Sequence, residues 1–163
     1  MFNKPMNETL IALIRHSAER HGLPPALVGA LVHVESAGDP WAVRFEPLFL
    51  RQYLQGLRFA PRPPCSFDTE QHGRATSWGL LQVMGQVARE RGFDGVFLSQ
   101  LCDPDIGLEY GCRQLALLAS RYYDQRSWGR VIAAYNAGSP RQNADGRFAN
   151  QPYVDRVLNL WTQ

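Results

Sequence analysis

Glu35 lies near the end of an almost wholly apolar stretch, LVGALVHVESAG, with the length and composition of a buried helix. Two effects in that setting raise the pKa of a carboxyl. Desolvation penalises the charged form, and the negative end of the helix dipole repels it. An acid kept neutral near pH 7 is what protonation of a glycosidic oxygen requires. A helix-end glutamate that simply faces water is the alternative reading. Three later segments also carry polar groups in unusual places. Ser77-Trp78-Gly79-Leu80-Leu81-Gln82 combines a hydroxyl, a glycine that lets a ligand approach backbone, and an amide with both donor and acceptor. Ala134-Tyr135-Asn136-Ala137-Gly138 puts a phenol and an amide at the end of an apolar helix, and Tyr153 opens the last helical segment. Taken singly, each has an ordinary account as a solvated face, a helix cap or packing.

The elements that must position these groups are mainly helical. Asn7 caps a first helix carrying Leu10, Ile11, Leu13, Ile14 and Ala18 at helical spacing, which stops at His21-Gly22. Pro24-Pro25 opens the second, with Leu27, Leu31 and Val34 on one face and an end near Ala37-Gly38. A shorter helix is expected within residues 47–57, and the Pro-rich, polar segment 60–77 reads as a long loop. Leu80, Leu81, Met84, Val87 and Ala88 form a helical stripe ending at Gly92, and residues 93–101 have room for a short helix. Asp103-Pro104 caps a long helix reaching about Asp124, Ser127 caps another ending at Gly138, and the last runs from about Pro152 to Trp161. No segment shows a clear strand alternation, although residues 43–49 are too short to judge. The expectation is one all-α domain over residues 1–163 with a long inserted loop and at most a minor β element there.

Bulk properties narrow the functional classes. A chain of 163 residues, 45% hydrophobic and 20% charged, has the profile of an ordinary soluble domain. Its formal charge of +2 lacks the basic stripe of a nucleic-acid binder. Lys4 is the sole lysine, so arginine carries nearly all the positive charge and suits carboxylate-bearing partners. No apolar run reaches the roughly 20 residues of a membrane span. Cys65, Cys102 and Cys112 have neither zinc nor redox spacing and are expected as buried thiols, with a Cys102–Cys112 bridge as the minor alternative. His16, His21, His33 and His72 show no metal spacing, so neither metal nor cofactor is expected.

Taken in order, Glu35-Ser36, Ser77-x-Gly79-Leu80-x-Gln82, Ala134-Tyr135-Asn136-Ala137-Gly138 and Tyr153-Val154 resemble the catalytic domain of soluble lytic transglycosylases, within the goose-type lysozyme-like group. The likeness extends from about Leu10 to Leu158. It implies a lysozyme-like fold with a glycan-binding groove. It also implies cleavage of peptidoglycan between N-acetylmuramic acid and N-acetylglucosamine, leaving 1,6-anhydromuramoyl ends. By that resemblance Glu35 is the single acid/base, and Ser36 bonds near the reacting sugar. Ser77, Gln82, Tyr135, Asn136 and Tyr153 are the polar residues of the groove. The implied partner is the glycan strand, and the chain is separately expected to be a monomer.

The sequence departs from the family pattern between residues 41 and 77, where Glu46, Asp68 and Glu70 each offer a second carboxylate. A hydrolytic muramidase needs one to aim water or form an adduct, so that outcome stays open, and Glu46 is placed among the substrate-binding residues. An ion pair with Arg44 or Arg51 is the competing role for Glu46. A catalytically silent wall-binding or virion module is a further alternative. Arg44-Phe45-Glu46-Pro47 also resembles a segment of some phage-associated muramidases. The N-terminal MFNKPMNETL carries no visible export signal. The expectation is therefore synthesis in the cytoplasm, action on the cell wall, and release by a phage lysis system or carriage in a virion.

Overall fold

The computed structural model describes residues 6–124 and 127–162. Residues 1–5, part of the segment read for an export signal, lie outside them. The element order is α1 (Glu8–Arg20), α2 (Pro25–Ser36), β1 (Val43–Phe45), α3 (Pro47–Phe49) continued by a π-helical turn (Leu50–Leu54), α4 (Phe67–Arg74), β2 (Thr76–Trp78), β3 (Val83–Met84), α5 (Gly85–Glu90), a 3-10 turn (Leu98–Cys102), α6 (Pro104–Tyr122), α7 (Gly129–Ala137) and α8 (Gln151–Trp161). The chain is mostly helical, as the patterning implies.

Local chemistry explains most of these boundaries. Asn7 Oδ1 accepts the Leu10 amide at 2.8 Å, an N-cap that satisfies one orphan donor of α1. Asp103 does the same for Asp105 and Ile106 at the start of α6. α2 buries Leu27, Val28, Ala30, Leu31 and Val32, so it runs through the core and packs on α1 and α8. Glu109 on α6 binds His21 and Arg20 and so ties the end of α1 to α6. Cys65, Cys102 and Cys112 are buried free thiols, and no Cys102–Cys112 bridge forms. Burial pushes the Cys112 thiol up to about 11.

Two regions differ from the sequence expectation. Within 60–77, Ser66 caps α4 by accepting the Thr69 amide at 3.1 Å, so part of the expected loop is helix. Glu70 on α4 is only 2% exposed and lies between Arg74 and Arg89, with contacts of 2.7 and 2.8 Å. Secondly, the segment from Trp78 onward does not begin a helix. Trp78 ends β2, and β2 and β3 join β1 in a three-stranded antiparallel sheet of order β1-β2-β3, so the helix begins only at Gly85. Gly79 (φ +68°) and Gln82 (φ +46°) take left-handed conformations that a continuous helix forbids. Leu80, Leu81 and Val83 are buried together by this turn rather than as one helical stripe.

The candidate active site

The end of α2, the front of the small sheet and the end of α7 enclose one cleft. Antiparallel register decides which sheet residues face it. Arg44 pairs with Ser77, and Ser77 with Met84, so these three share one face, while Val43, Phe45, Thr76 and Trp78 lie on the other. Arg44, Ser77 and Met84 accordingly line the cleft, together with Glu35, Glu46, Gln82, Tyr135 and Asn136. Six residues singled out from the sequence thus meet in one place. Ser36 and Tyr153 do not form its wall; they stand behind it.

Glu35 is half-buried at the C-terminal turn of α2. Tyr153, buried near the start of α8, donates its hydroxyl to Glu35 Oε1 at 2.5 Å. Burial raises the Glu35 carboxyl above its ordinary value; the Tyr153 hydrogen bond and the charges of Arg44 and Arg156 only partly counter it. Burial and the neighbouring Glu35 likewise push the Tyr153 phenol up, so it stays a donor.

The turn from Gly79 to Gln82 is held from three sides. The Gly79 amide donates to Ala42 O at 2.8 Å. Ser36 Oγ donates to Leu80 O at 2.9 Å, with Val32 O at 3.1 Å as its other acceptor. Tyr135 donates its hydroxyl to Leu81 O at 2.8 Å. The resemblance places the Ser36 hydroxyl near the reacting sugar; in the structure it joins the end of α2 to this turn. Gln82 commits its Nε2 to Ala42 O and Gly79 O, at 2.8 and 3.0 Å. The group it retains for the cleft is therefore its carbonyl oxygen. Gly79 is required here, since a Cβ would lie 2.5 Å from Leu101 O and φ is positive.

Among the described residues, the two non-glycine positions with positive φ are Ala37, just after Glu35-Ser36, and Gln82. Such conformations cost roughly 1–2 kcal/mol for an L-residue; Gln82 lines the cleft, and Ala37 ends the helix that carries Glu35.

The second carboxylates separate clearly. Glu46 Oε1 pairs with Arg44 Nε at 2.5 Å on the cleft rim. Glu70 is locked between two arginines away from the cleft, and Asp68 is exposed on α4. Burial pulls the Glu70 carboxyl upward, but hydrogen bonds and charge from Arg89 and Arg74 outweigh it and hold it below its ordinary value. Asp39 acts as a turn residue, accepting the Trp41 amide at 2.9 Å.

Sequence reasoning missed Asn150 and Gln114. Asn150 Nδ2 donates to Asn136 Oδ1 at 2.9 Å and Ala133 O at 3.1 Å, which turns the Asn136 amide nitrogen into its free end. Its place just before Pro152 was the available signal, since Asn is common where helices begin. Gln114 lines the cleft from α6. Its signal was a polar residue spaced at a helical interval from Gly107, Gly111 and Leu118, which are buried.

Comparison with known proteins agrees with this architecture. The family model described as "Transglycosylase SLT domain" matches residues 12–152. "Membrane-bound lytic murein transglycosylase C" from Actinobacillus pleuropneumoniae serotype 5b (strain L20) is 24% identical over 161 residues, covering 92% of this chain and 36% of that protein. The proteins of the same name from serotype 3 (strain JL03) and serotype 7 (strain AP76) match equally. The chain thus spans about a third of the length of these relatives. No helix among the described residues is long and apolar enough to cross a membrane. With its mostly helical, lysozyme-like architecture and a family match over most of its length, the chain belongs to the transglycosylase SLT domain family.

Proposed function

We propose that this chain is a single catalytic domain that cleaves peptidoglycan glycan strands as a lytic transglycosylase, with Glu35 acting first as acid and then as base. The observation carrying this reading is the Glu35–Tyr153 pair at the cleft. Burial keeps the carboxyl protonated to a higher pH than usual, and Tyr153 is ready to support the carboxylate once the proton has gone.

Glu35 protonates the bridging oxygen between N-acetylmuramic acid and N-acetylglucosamine as positive charge develops at the anomeric carbon. The carboxylate so formed accepts the hydrogen bond from Tyr153. It then removes the proton of the muramoyl 6-hydroxyl, whose oxygen attacks the anomeric carbon and closes the 1,6-anhydro ring. One C–O bond breaks, another forms within the same sugar, and the proton balance returns to Glu35. An internal nucleophile needs no second carboxylate, because positioning replaces a very high concentration of water. Ser77, Gln82 and Asn136 bind the strand in this scheme. Ser36 and Tyr135 act by holding the turn from Gly79 to Gln82 in place.

Two readings compete. A hydrolase would use Glu46, which lines the same cleft, to aim water. A silent wall-binding module would retain sacculi without clearing them. Mass analysis of soluble fragments released from purified sacculi separates all three. Anhydro-ended fragments support the proposal, fragments heavier by one water identify a hydrolase, and no release identifies a binding module. Glu35→Gln is expected to lower release at least 100-fold, the lower end of general acid–base effects.

The name of the matched relatives supports peptidoglycan as substrate. We propose further that the chain acts as a monomer and is of phage or prophage origin, a reading supported by the likeness of Arg44-Phe45-Glu46-Pro47 to phage-associated muramidases. Gel filtration tests the first point, and detection in purified virions rather than only in lysates tests the second.

A further inference from the structure

α6 turns Gly107, Gly111, Gln114 and Leu118 toward the interior, at intervals of four, three and four residues. The two glycines let it ride close on its neighbours. A Cβ on Gly107 would fall 2.5 Å from Leu101 O, and one on Gly111 would fall 2.4 Å from Leu81 Cδ1. One turn further, this close approach carries Gln114 into the cleft wall. Its Oε1 is sealed from solvent and has no hydrogen-bond partner. A buried carbonyl without a donor is a standing cost to the folded state, and native structures hold few of them. Its Nε2 is not sealed in this way, so the amide nitrogen is the polar group Gln114 offers to the cleft.

The surroundings narrow what that donor meets. Val83, Met84 and Val87 line the same cleft and are uncharged, whereas the charged pair Arg44–Glu46 comes from β1 and the residue just after it. A neutral donor beside apolar side chains suits a group with a carbonyl oxygen and a methyl side by side. An acetamido group has both. We propose that Gln114 is a specificity-determining residue whose Nε2 donates to the acetamido carbonyl of a bound amino sugar, while the acetyl methyl packs on Val83 and Val87. This rests on the glycan-cleaving reading above and adds what the cleft recognises.

The test uses Glu35→Gln as a non-cleaving parent. Its affinity is measured for a short β-linked N-acetylglucosamine oligomer and for the same oligomer after de-N-acetylation, with and without Gln114→Met. Expected is about a tenfold loss of affinity for the acetylated oligomer, roughly what one hydrogen bond supplies. The de-N-acetylated oligomer should bind both proteins alike. The melting temperature should hold or rise, because the substitution also removes the orphaned carbonyl. Unchanged discrimination between the two oligomers overturns the proposal, and so does a fall in melting temperature with affinity intact. A parent that binds neither oligomer would defeat the glycan reading itself. Gln114→Leu supplies a second apolar replacement if the Met variant does not fold.

Discussion

Tyr153 and Glu35 are 118 positions apart in the chain and meet through one hydrogen bond of 2.5 Å behind the cleft wall. The contact is a product of packing, since α2 and α8 lie against each other in the core. It sets two opposing influences on one carboxyl. Burial favours the neutral acid, and the phenol favours the anion. A group asked to give up a proton and then take one back is served by that balance.

Tyr153→Phe tests it. The phenol stabilises only the charged form of Glu35, so its loss leaves burial less opposed and moves the carboxyl further up. The alkaline limb of kcat/KM, which reports loss of the acid's proton, should shift to higher pH. The rate at the optimum should fall about tenfold, the scale of one charge-assisted hydrogen bond. A pH–rate profile with the limb displaced downward would contradict this assignment.

Glu35→Gln should stabilise the fold while abolishing cleavage. The folded carboxyl is raised above its unfolded value, so the native state binds more protons than the unfolded chain between those two values. Wild-type stability therefore declines as pH rises through that window, which begins at about 4.3, the ordinary glutamate value. The amide does not titrate. Thermal melts should show the variant ahead at neutral pH and the advantage fading at acid pH; a variant less stable at pH 7 would count against burial as the dominant influence.

Much of this arrangement was legible because long helices write a strong pattern. The apolar run of α2, the Asp103 cap of α6 and the Asn136-Ala137-Gly138 ending of α7 all announce themselves in sequence. The sheet does not, because strands of two or three residues are too short for alternation to show. Leu80, Leu81, Met84 and Val87 mimic a helical stripe only because a tight turn and the following helix bury neighbouring residues. α4 was hidden behind the prolines at 61, 63 and 64, although Ser66 and the acids Asp68 and Glu70 are sound N-terminal signals. Gln114 went unnoticed because a glutamine on a long helix reads as solvent-facing until the helix is packed.

Glu70→Gln separates a structural carboxylate from a catalytic one. Glu70 is paired with Arg74 and Arg89 in a nearly closed setting, and breaking such a pair costs about 3–5 kcal/mol. Urea denaturation should report a loss on that scale. At a temperature where the variant is folded, its cleavage rate should match wild type. The folded carboxyl sits below its ordinary value, so its stabilisation is present at neutral pH and is lost as pH falls through the folded pKa. The gap between wild type and variant should therefore narrow in acid; a large drop in turnover without a drop in stability would place Glu70 in the chemistry.

Glu46→Gln addresses the acid that, among the described residues, lines the cleft with Glu35. Glu46 is bound to Arg44, whose charge already pulls the Glu35 carboxyl down. Neutralising Glu46 leaves the Arg44 charge less offset, so Glu35 should release its proton at lower pH. The alkaline limb of kcat/KM then moves toward acid, opposite to the shift expected for Tyr153→Phe. In the proposed reaction the internal 6-hydroxyl replaces water as nucleophile, so the fragments should keep their anhydro ends, with turnover at the new optimum reduced less than about tenfold. A hydrolase that relied on Glu46 to activate water would instead lose about 100-fold or more. Its residual products would carry the added water, so fragment mass and pH profile together decide whether Glu46 is part of the reaction or only tunes the acid beside it.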